Sequence, residues 1–386
     1  MIYGGKEMES KKLKVIVIGT GNVAAIAIRS LKGREDMELV GVWGRRESLI
    51  GTDSGLLDLD EPNGVLITNS KEELYALKPD CAVMAINVRD PMQMAAVNGE
   101  WYKELLSHGI NVVSPSVPDL IWPRAAFNQP FVEDIQKTAE AGKASIFING
   151  QEPGYAENQA LLLATCSNTI KTLTIREMYN YSTAPVRAEL APAYGFDEPP
   201  EFQAMLENPD TQIYIWGMTI RNIAHNLGYE IEGFKTSFEK RVTDKPIPVG
   251  WGTIEPGKVG AVWVRTAGII NGREAIVIEH VNRMSQDIAK DWPYTDRVGQ
   301  ISVRIDGDPN LQVDMNVSKP EQPEELSYEG YVLTAMRIVN AIPHVCAAKP
   351  GIVTIHDIPM GLPHSAFRSE ATNIHHKVCK APNANY

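Results

Sequence analysis

The run Gly19-Thr20-Gly21-Asn22-Val23-Ala24 has the residue types and spacing with which a backbone turn holds a diphosphate. Gly19 permits a tight turn, Gly21 lacks the Cβ that would keep a phosphate away, and Ala24 is small enough for close packing behind the turn. Gly19, Thr20, Gly21, Asn22 and Val23 are therefore the candidate cradle for a dinucleotide. Downstream, Gly44-Arg45-Arg46 occupies the place where such a site meets the adenosine ribose. An acid there would bind the 2′-hydroxyl of NAD(H). Two arginines instead offer bidentate pairing to a 2′-phosphate, so NADP(H) is the preferred cofactor, with NAD(H) possible.

Hydride transfer further asks for an apolar slot and one proton donor or charge stabiliser near the acceptor. Asp119 is a candidate because desolvation in a cleft would bring its pKa toward neutrality. Tyr179 and Tyr181 each combine an apolar face with a hydroxyl donor, and packing is their alternative role. Glu152 stands beside an expected helix start, where it either takes part in chemistry or simply complements the dipole. His225 and His280 lie among apolar neighbours and read as satisfied buried histidines. No histidine–carboxylate spacing suits a metal, and no nucleophile elbow is present.

These residues need elements to carry them. Val15-Ile16-Val17-Ile18 is a strand apolar on both faces, as in a parallel sheet, and Ala24 to Leu31 has helical composition. Further strands are expected at 38–43, 65–68, 81–86, 111–113 and 144–148, with helices starting at Ser70 and spanning 101–108 and 131–142. Asn87 follows the fourth strand as a ribose or nicotinamide contact or a turn former. Ser114 and the Pro115-Ser116-Val117-Pro118-Asp119 loop follow the fifth, on the nicotinamide side. Pro153 suits the first turn of a helix running to about Cys166. Strand patterns then dominate, at 169–179, 261–269, 274–283, 300–305 and 311–317, broken by one helix over 210–228. The expected fold is an α/β Rossmann domain with a mostly parallel, doubly wound sheet, plus an α+β domain with an open, largely antiparallel sheet. Residues 1–150 and 330–386 form the first, the tail returning to it through a helix at 328–341. Residues 151–329 form the second.

A chain of 386 residues with 44% hydrophobic and 22% charged side chains can build two cores. A formal charge of −11 argues against nucleic acid or an anionic membrane as partner. Four scattered cysteines without a C-x-x-C pair fit a reducing compartment. Polar leading residues and the lack of an apolar run near the roughly 20 residues a bilayer requires point to a cytoplasmic protein acting on a small molecule.

Gly19-Thr20-Gly21-Asn22-Val23-Ala24, Gly51-Thr52-Asp53-Ser54-Gly55, Gly150-x-x-Pro153-Gly154, Glu279-His280-Val281-Asn282-Arg283-Met284 and Asp291-Trp292-Pro293 together resemble the 2,4-diaminopentanoate dehydrogenase and native amine dehydrogenase group, whose first domain is dihydrodipicolinate-reductase-like. Thr334-Ala335-Met336-Arg337-x-Val339-Asn340-Ala341-Ile342-Pro343 is similar to the same group. The resemblance implies hydride transfer with NAD(P)H, a homodimer, and in the amine-forming members reductive amination of a carbonyl. It also implies a glutamate in the loop after strand five. That loop holds no glutamate here, and Asp119 is its only acid. Either the shorter acid serves or amine chemistry is absent. The expected activity is NAD(P)H-dependent reduction of C=N on a small-to-medium, partly apolar substrate. Ketone or enone reduction, or a non-catalytic NADP(H)-binding redox sensor, are the alternatives. His375-His376 imitates the double histidine of true dihydrodipicolinate reductases, but at the wrong spacing and at the chain end.

Overall fold

The structure, a computed structural model, describes residues 11–57, 61–86, 88, 93–184, 187–319, 329–364 and 366–367. Asn87 and His375-His376 lie outside the described residues.

The first half builds a parallel sheet from β1 (Leu13–Ile18), β2 (Met37–Trp43), β3 (Ile67–Thr68), β4 (Cys81–Met84), β5 (Asn111–Ser114) and β6 (Ser145–Ile148). Helices α1 (Asn22–Leu31), α2 (Lys71–Ala76), α3 (Met94–Ser107) and α4 (Gln129–Gly142) connect them. Ser70 caps α2 by accepting from Glu73 N, and Asn128 caps α4 by accepting from Phe131 N. The strand order is β15-β6-β5-β4-β1-β2-β3, with every pair parallel. Its seventh strand, β15 (Gly351–Val353), comes from the chain's last third, after α8 (Glu329–Val339) and α9 (Ile342–Ala347). Ile338, Val339, Ile342 and Val345 are buried with Val15, Val17 and Ala27 in one core. Both faces of the sheet are covered, because its strands are apolar on both.

The second sheet has the order β14-β13-β7-β12-β11-β8. It comprises β7 (Thr169–Tyr179), β8 (Gly233–Val242), β11 (Val259–Ile270), β12 (Arg273–Arg283), β13 (Gly299–Asp308) and β14 (Leu311–Asn316), with β9 (Ile247–Val249) and β10 (Gly252–Ile254) as a separate hairpin. Its neighbours pair antiparallel except β7 and β12, which run parallel. Helices α5 (Ala156–Ala164) and α7 (Pro209–Asn226) cover one face, closing a core around Leu173, Ile175, Ile220, Ile276 and Ile278. A shorter helix, α6 (Arg187–Tyr194), precedes α7.

Two local expectations change. Pro153 does not open a helix: Glu152 and Pro153 are extended (φ −157°, ψ 114° and φ −68°, ψ 144°), and α5 starts at Ala156. Strand β8 was not anticipated, because its Lys235, Glu239, Lys240 and Arg241 break the apolar signal. It is an edge strand, where charged side chains reach water and discourage pairing with another chain.

Candidate active site

The glycine turn lies between β1 and α1, at the carboxyl end of the parallel sheet. Gly19 has φ +127°, and a Cβ there would sit 2.6 Å from the carbonyl oxygen of Ala85. A Cβ on Gly21 would meet nothing within 4 Å. Gly21 is also the N-cap of α1, and no side chain satisfies that helix start. Open space in front of unpaired N–H groups at the positive end of a helix fits a diphosphate. Asn22 and Val23 form the half-buried first turn beside it. Arg46 donates through Nη2 to both the Thr20 carbonyl (2.8 Å) and the Thr20 hydroxyl oxygen (3.2 Å). Arg46 thus braces the turn, while Arg45 is exposed. Ser114 is fully buried; its oxygen takes the Tyr102 hydroxyl at 2.8 Å and the Ser116 N–H at 3.3 Å.

A second group of functional side chains gathers where β6, β7 and β12 end. On β7, Leu173, Ile175, Glu177 and Tyr179 share one face; on β12, Ile276, Ile278, His280 and Asn282 do the same. Polar residues thus continue the apolar stripe of the core toward the strand ends. Glu177 and His280 are direct register partners of the parallel pair. The segment after β6 brings Glu152 to the other side of the imidazole. His280 Nε2 lies 2.5 Å from Glu152 Oε2, and Nδ1 lies 3.1 Å from Glu177 Oε1. The side chains of Glu152, Glu177 and His280 are only 2%, 7% and 6% exposed. Burial disfavours charge on the histidine, but the Glu177 and Glu152 carboxylates outweigh it and hold the imidazolium up to about 10. His280 therefore donates from both ring nitrogens, and the trio carries one net negative charge.

Glu177 is oriented by donors from Gln151 Nε2 (2.8 Å), Asn282 Nδ2 (3.3 Å) and the Tyr181 hydroxyl (3.4 Å). Trp216 of α7 lies over His280 at 4.7 Å. Tyr179 and Tyr181 meet edge to face at 5.8 Å, and burial first, then the Glu177 charge, pushes both phenols up, so both stay protonated. Three buried atoms around this trio have no partner, Glu152 Oε1, the Tyr179 hydroxyl and Trp216 Nε1. Orphaned buried polar atoms are costly and point to a missing ligand. Since the two carboxylates approach opposite ring nitrogens, they do not converge on one point. Among the described residues no His/Cys/Asp/Glu group is placed to hold a metal.

Behind this trio lies Glu157, in the first turn of α5 and fully buried. Burial raises it to about 7, although Thr219 and Asn222 side chains oppose the shift.

Asp119 is placed apart. The loop after β5 turns sharply at Val117, a β-branched residue at φ +73°, and carries Asp119 into a 1%-exposed position. Its Oδ1 accepts the Asn128 N–H at 3.0 Å, and its charge faces the Tyr214 hydroxyl, which burial and that carboxylate push up. Tyr214 and Trp216 lie two residues apart on α7 and so on different sides of it. Glu152, Tyr179 and Tyr181 are brought together, and no contact joins Asp119 to them. His280 and Glu177 were not singled out for chemistry by the sequence reading. Their one available signal was a run of polar residues continuing an apolar strand face.

The family model of the 2,4-diaminopentanoate dehydrogenase C-terminal domain matches residues 197–376. An amine dehydrogenase of Streptomyces virginiae is 29% identical over 355 residues, covering 90% of this chain and 96% of that one. The 2,4-diaminopentanoate dehydrogenase of Acetoanaerobium sticklandii is 24% identical over 359 residues, covering 91% and 94%. The solved amine dehydrogenase from Mycobacterium smegmatis shares the fold, with a TM-score of 0.73 at 20% identity over 92% of this chain and 98% of that one. No helix among the described residues is long and apolar enough to cross a membrane. Over most of its length the chain is similar to the 2,4-diaminopentanoate dehydrogenase and amine dehydrogenase group, and it is an oxidoreductase.

Proposed function

We propose that the protein reduces a C=N bond with NADPH in preference to NADH, forming an amine from a small, partly apolar carbonyl compound and ammonia. The observation that carries this reading is the Glu152–His280–Glu177 trio. Its net negative charge, walled by Trp216 and the two tyrosines, suits a cationic iminium or ammonium and disfavours a neutral carbonyl. The partnerless Glu152 Oε1 is the acceptor to which such a nitrogen would donate. His280 keeps Glu152 correctly turned through its Nε2, Glu177 fixes the imidazole from the other side, and Tyr181 steadies Glu177. When bound, the reduced nicotinamide supplies one hydride to the carbon. The glycine turn would hold its diphosphate, and Arg45 would meet the 2′-phosphate. In this reading residues 1–150 and 330–386 bind the cofactor, and 151–329 bind substrate and pair two copies as a homodimer. The names of the two curated relatives, both amine-directed, support the same chemistry.

The test is a screen of ketones and aldehydes with and without ammonium, following nicotinamide absorbance with NADPH and with NADH. Turnover that requires ammonium is the expected result. Equal turnover without it would overturn the reading in favour of ketone or enone reduction, for which the partnerless Tyr179 hydroxyl is the available donor.

A further inference from the structure

A cavity of about 750 Å³ opens at the far edge of the parallel sheet, among α4, β15 and the end of α7. It shares no residue with the glycine turn or with the Glu152 trio. One wall is apolar, formed by Trp122, Pro123, Val132 and Ile352. Cationic or titratable bases converge on that wall. Arg124 reaches over the Trp122 ring at 5.4 Å and touches His225 Nε2 at 3.3 Å. His225 and His356 flank the same indole at 5.0 and 5.9 Å.

The acids in the cavity are already engaged. Glu133 lies 3.7 Å from Lys137, Glu140 accepts from Gln136 at 2.7 Å, and Asp357 accepts from the Thr354 N–H and hydroxyl at 2.8 and 2.6 Å. Glu230, 3.7 Å from His225 Nδ1, is 90% exposed, so water screens it. Among the described residues Arg124 has no carboxylate partner. His356 is anchored through Nε2 to Asn222 Oδ1 (2.9 Å) and Asn226 Nδ2 (3.2 Å), and Asn222 is fully buried. Burial keeps His356 below its ordinary 6.5, opposed by the nearby Asp357 carboxylate and helped by its neighbours His225 and Arg124.

We infer that this cavity binds a small aromatic carboxylate, its ring against the Pro123, Val132 and Ile352 wall and its carboxylate on the fork of Arg124 beside His225 and His356. Such an anion would offset the Arg124 charge and draw a proton onto His356. Affinity then rises as pH falls through neutrality.

The test uses the full-length protein in titration calorimetry with 2-naphthoate, with 2-naphthamide as its neutral counterpart and inorganic phosphate as a ringless anion. One equivalent of 2-naphthoate should bind, more tightly near pH 6 than near pH 8, with the amide and phosphate at least roughly tenfold weaker. Arg124→Gln should lose roughly tenfold or more, as expected for a charge-assisted pair. It should unfold at the wild-type temperature, since Arg124 is exposed. Equal binding of the amide, equal binding of phosphate, an unaffected Arg124→Gln, or competition by NADPH would each overturn the site.

Discussion

Replacing Glu152 by Gln removes one of two charges that keep His280 protonated while preserving shape. Unit charges about 4 Å apart at an effective dielectric near 20 interact by about 4 kcal/mol. At about 1.4 kcal/mol per pH unit this is roughly three units. Wild-type His280 is held near 10, so in the variant it should titrate near neutrality. The consequence for stability has a definite sign. A histidine whose folded pKa lies above its ordinary 6.5 stabilises fully below pH 6.5, and loses that contribution as pH rises toward 10. Wild type and variant should therefore differ most at and below about pH 6.5 and converge near pH 10. Long-range proton–nitrogen NMR of the imidazole and thermal unfolding across that range read the two effects. Turnover with ammonium should fall by roughly 10²–10⁴-fold, the usual contribution of a positioned acid or base. A variant whose His280 still titrates near 10, or whose ammonium-dependent turnover is intact, would refute the reasoning.

At the cofactor end, Gly21→Val should abolish NADPH binding with little change in unfolding temperature, because its side chain would enter open space in front of α1; wild-type affinity in fluorescence titration would contradict this. Arg45→Ala should weaken NADPH roughly tenfold or more and leave NADH nearly unchanged, whereas Arg46→Ala, which unties Thr20, should weaken both. Asp119→Asn should keep turnover within about tenfold, since Asp119 serves Asn128 and Tyr214; a loss like that of Glu152→Gln would return the chemistry to the loop after β5. Glu157, held near 7, destabilises the fold progressively as pH rises from 4.5, so Glu157→Gln should be more stable than wild type above about pH 7 by chemical denaturation.

Much of this was legible in the chain because its determinants are local. The β1–glycine–α1 unit needs only neighbouring residues, and β7, β12 and α7 announce themselves by apolar periodicity, whereas β15 is three residues long and too short to do so. The trio escaped because its parts are remote. Glu152 lies 128 residues from His280 and Glu177 lies 103 residues from it, so only the sheet register joins them. A histidine within an apolar strand looks the same whether its partners are water, backbone or two carboxylates. Glu152 misled for a related reason: Pro153 is a good first helical residue by type, yet its extended backbone instead delivers the carboxylate across to β12. For Asp119 the sequence shows the position after β5, while its direction depends on the turn at Val117, which the residue types do not announce.

The lone parallel pair in the second sheet has one more consequence. Because Glu177 and His280 face each other as register partners, sliding β12 by one residue would send His280 to the opposite face and bring Glu279 into the core in its place. Two carboxylates would then be buried side by side with no cation between them. The charge pattern thus adds its own penalty to the loss of apolar contacts in a mis-threaded sheet. A protonated His280 signal is accordingly a report on correct strand threading as well as on the site.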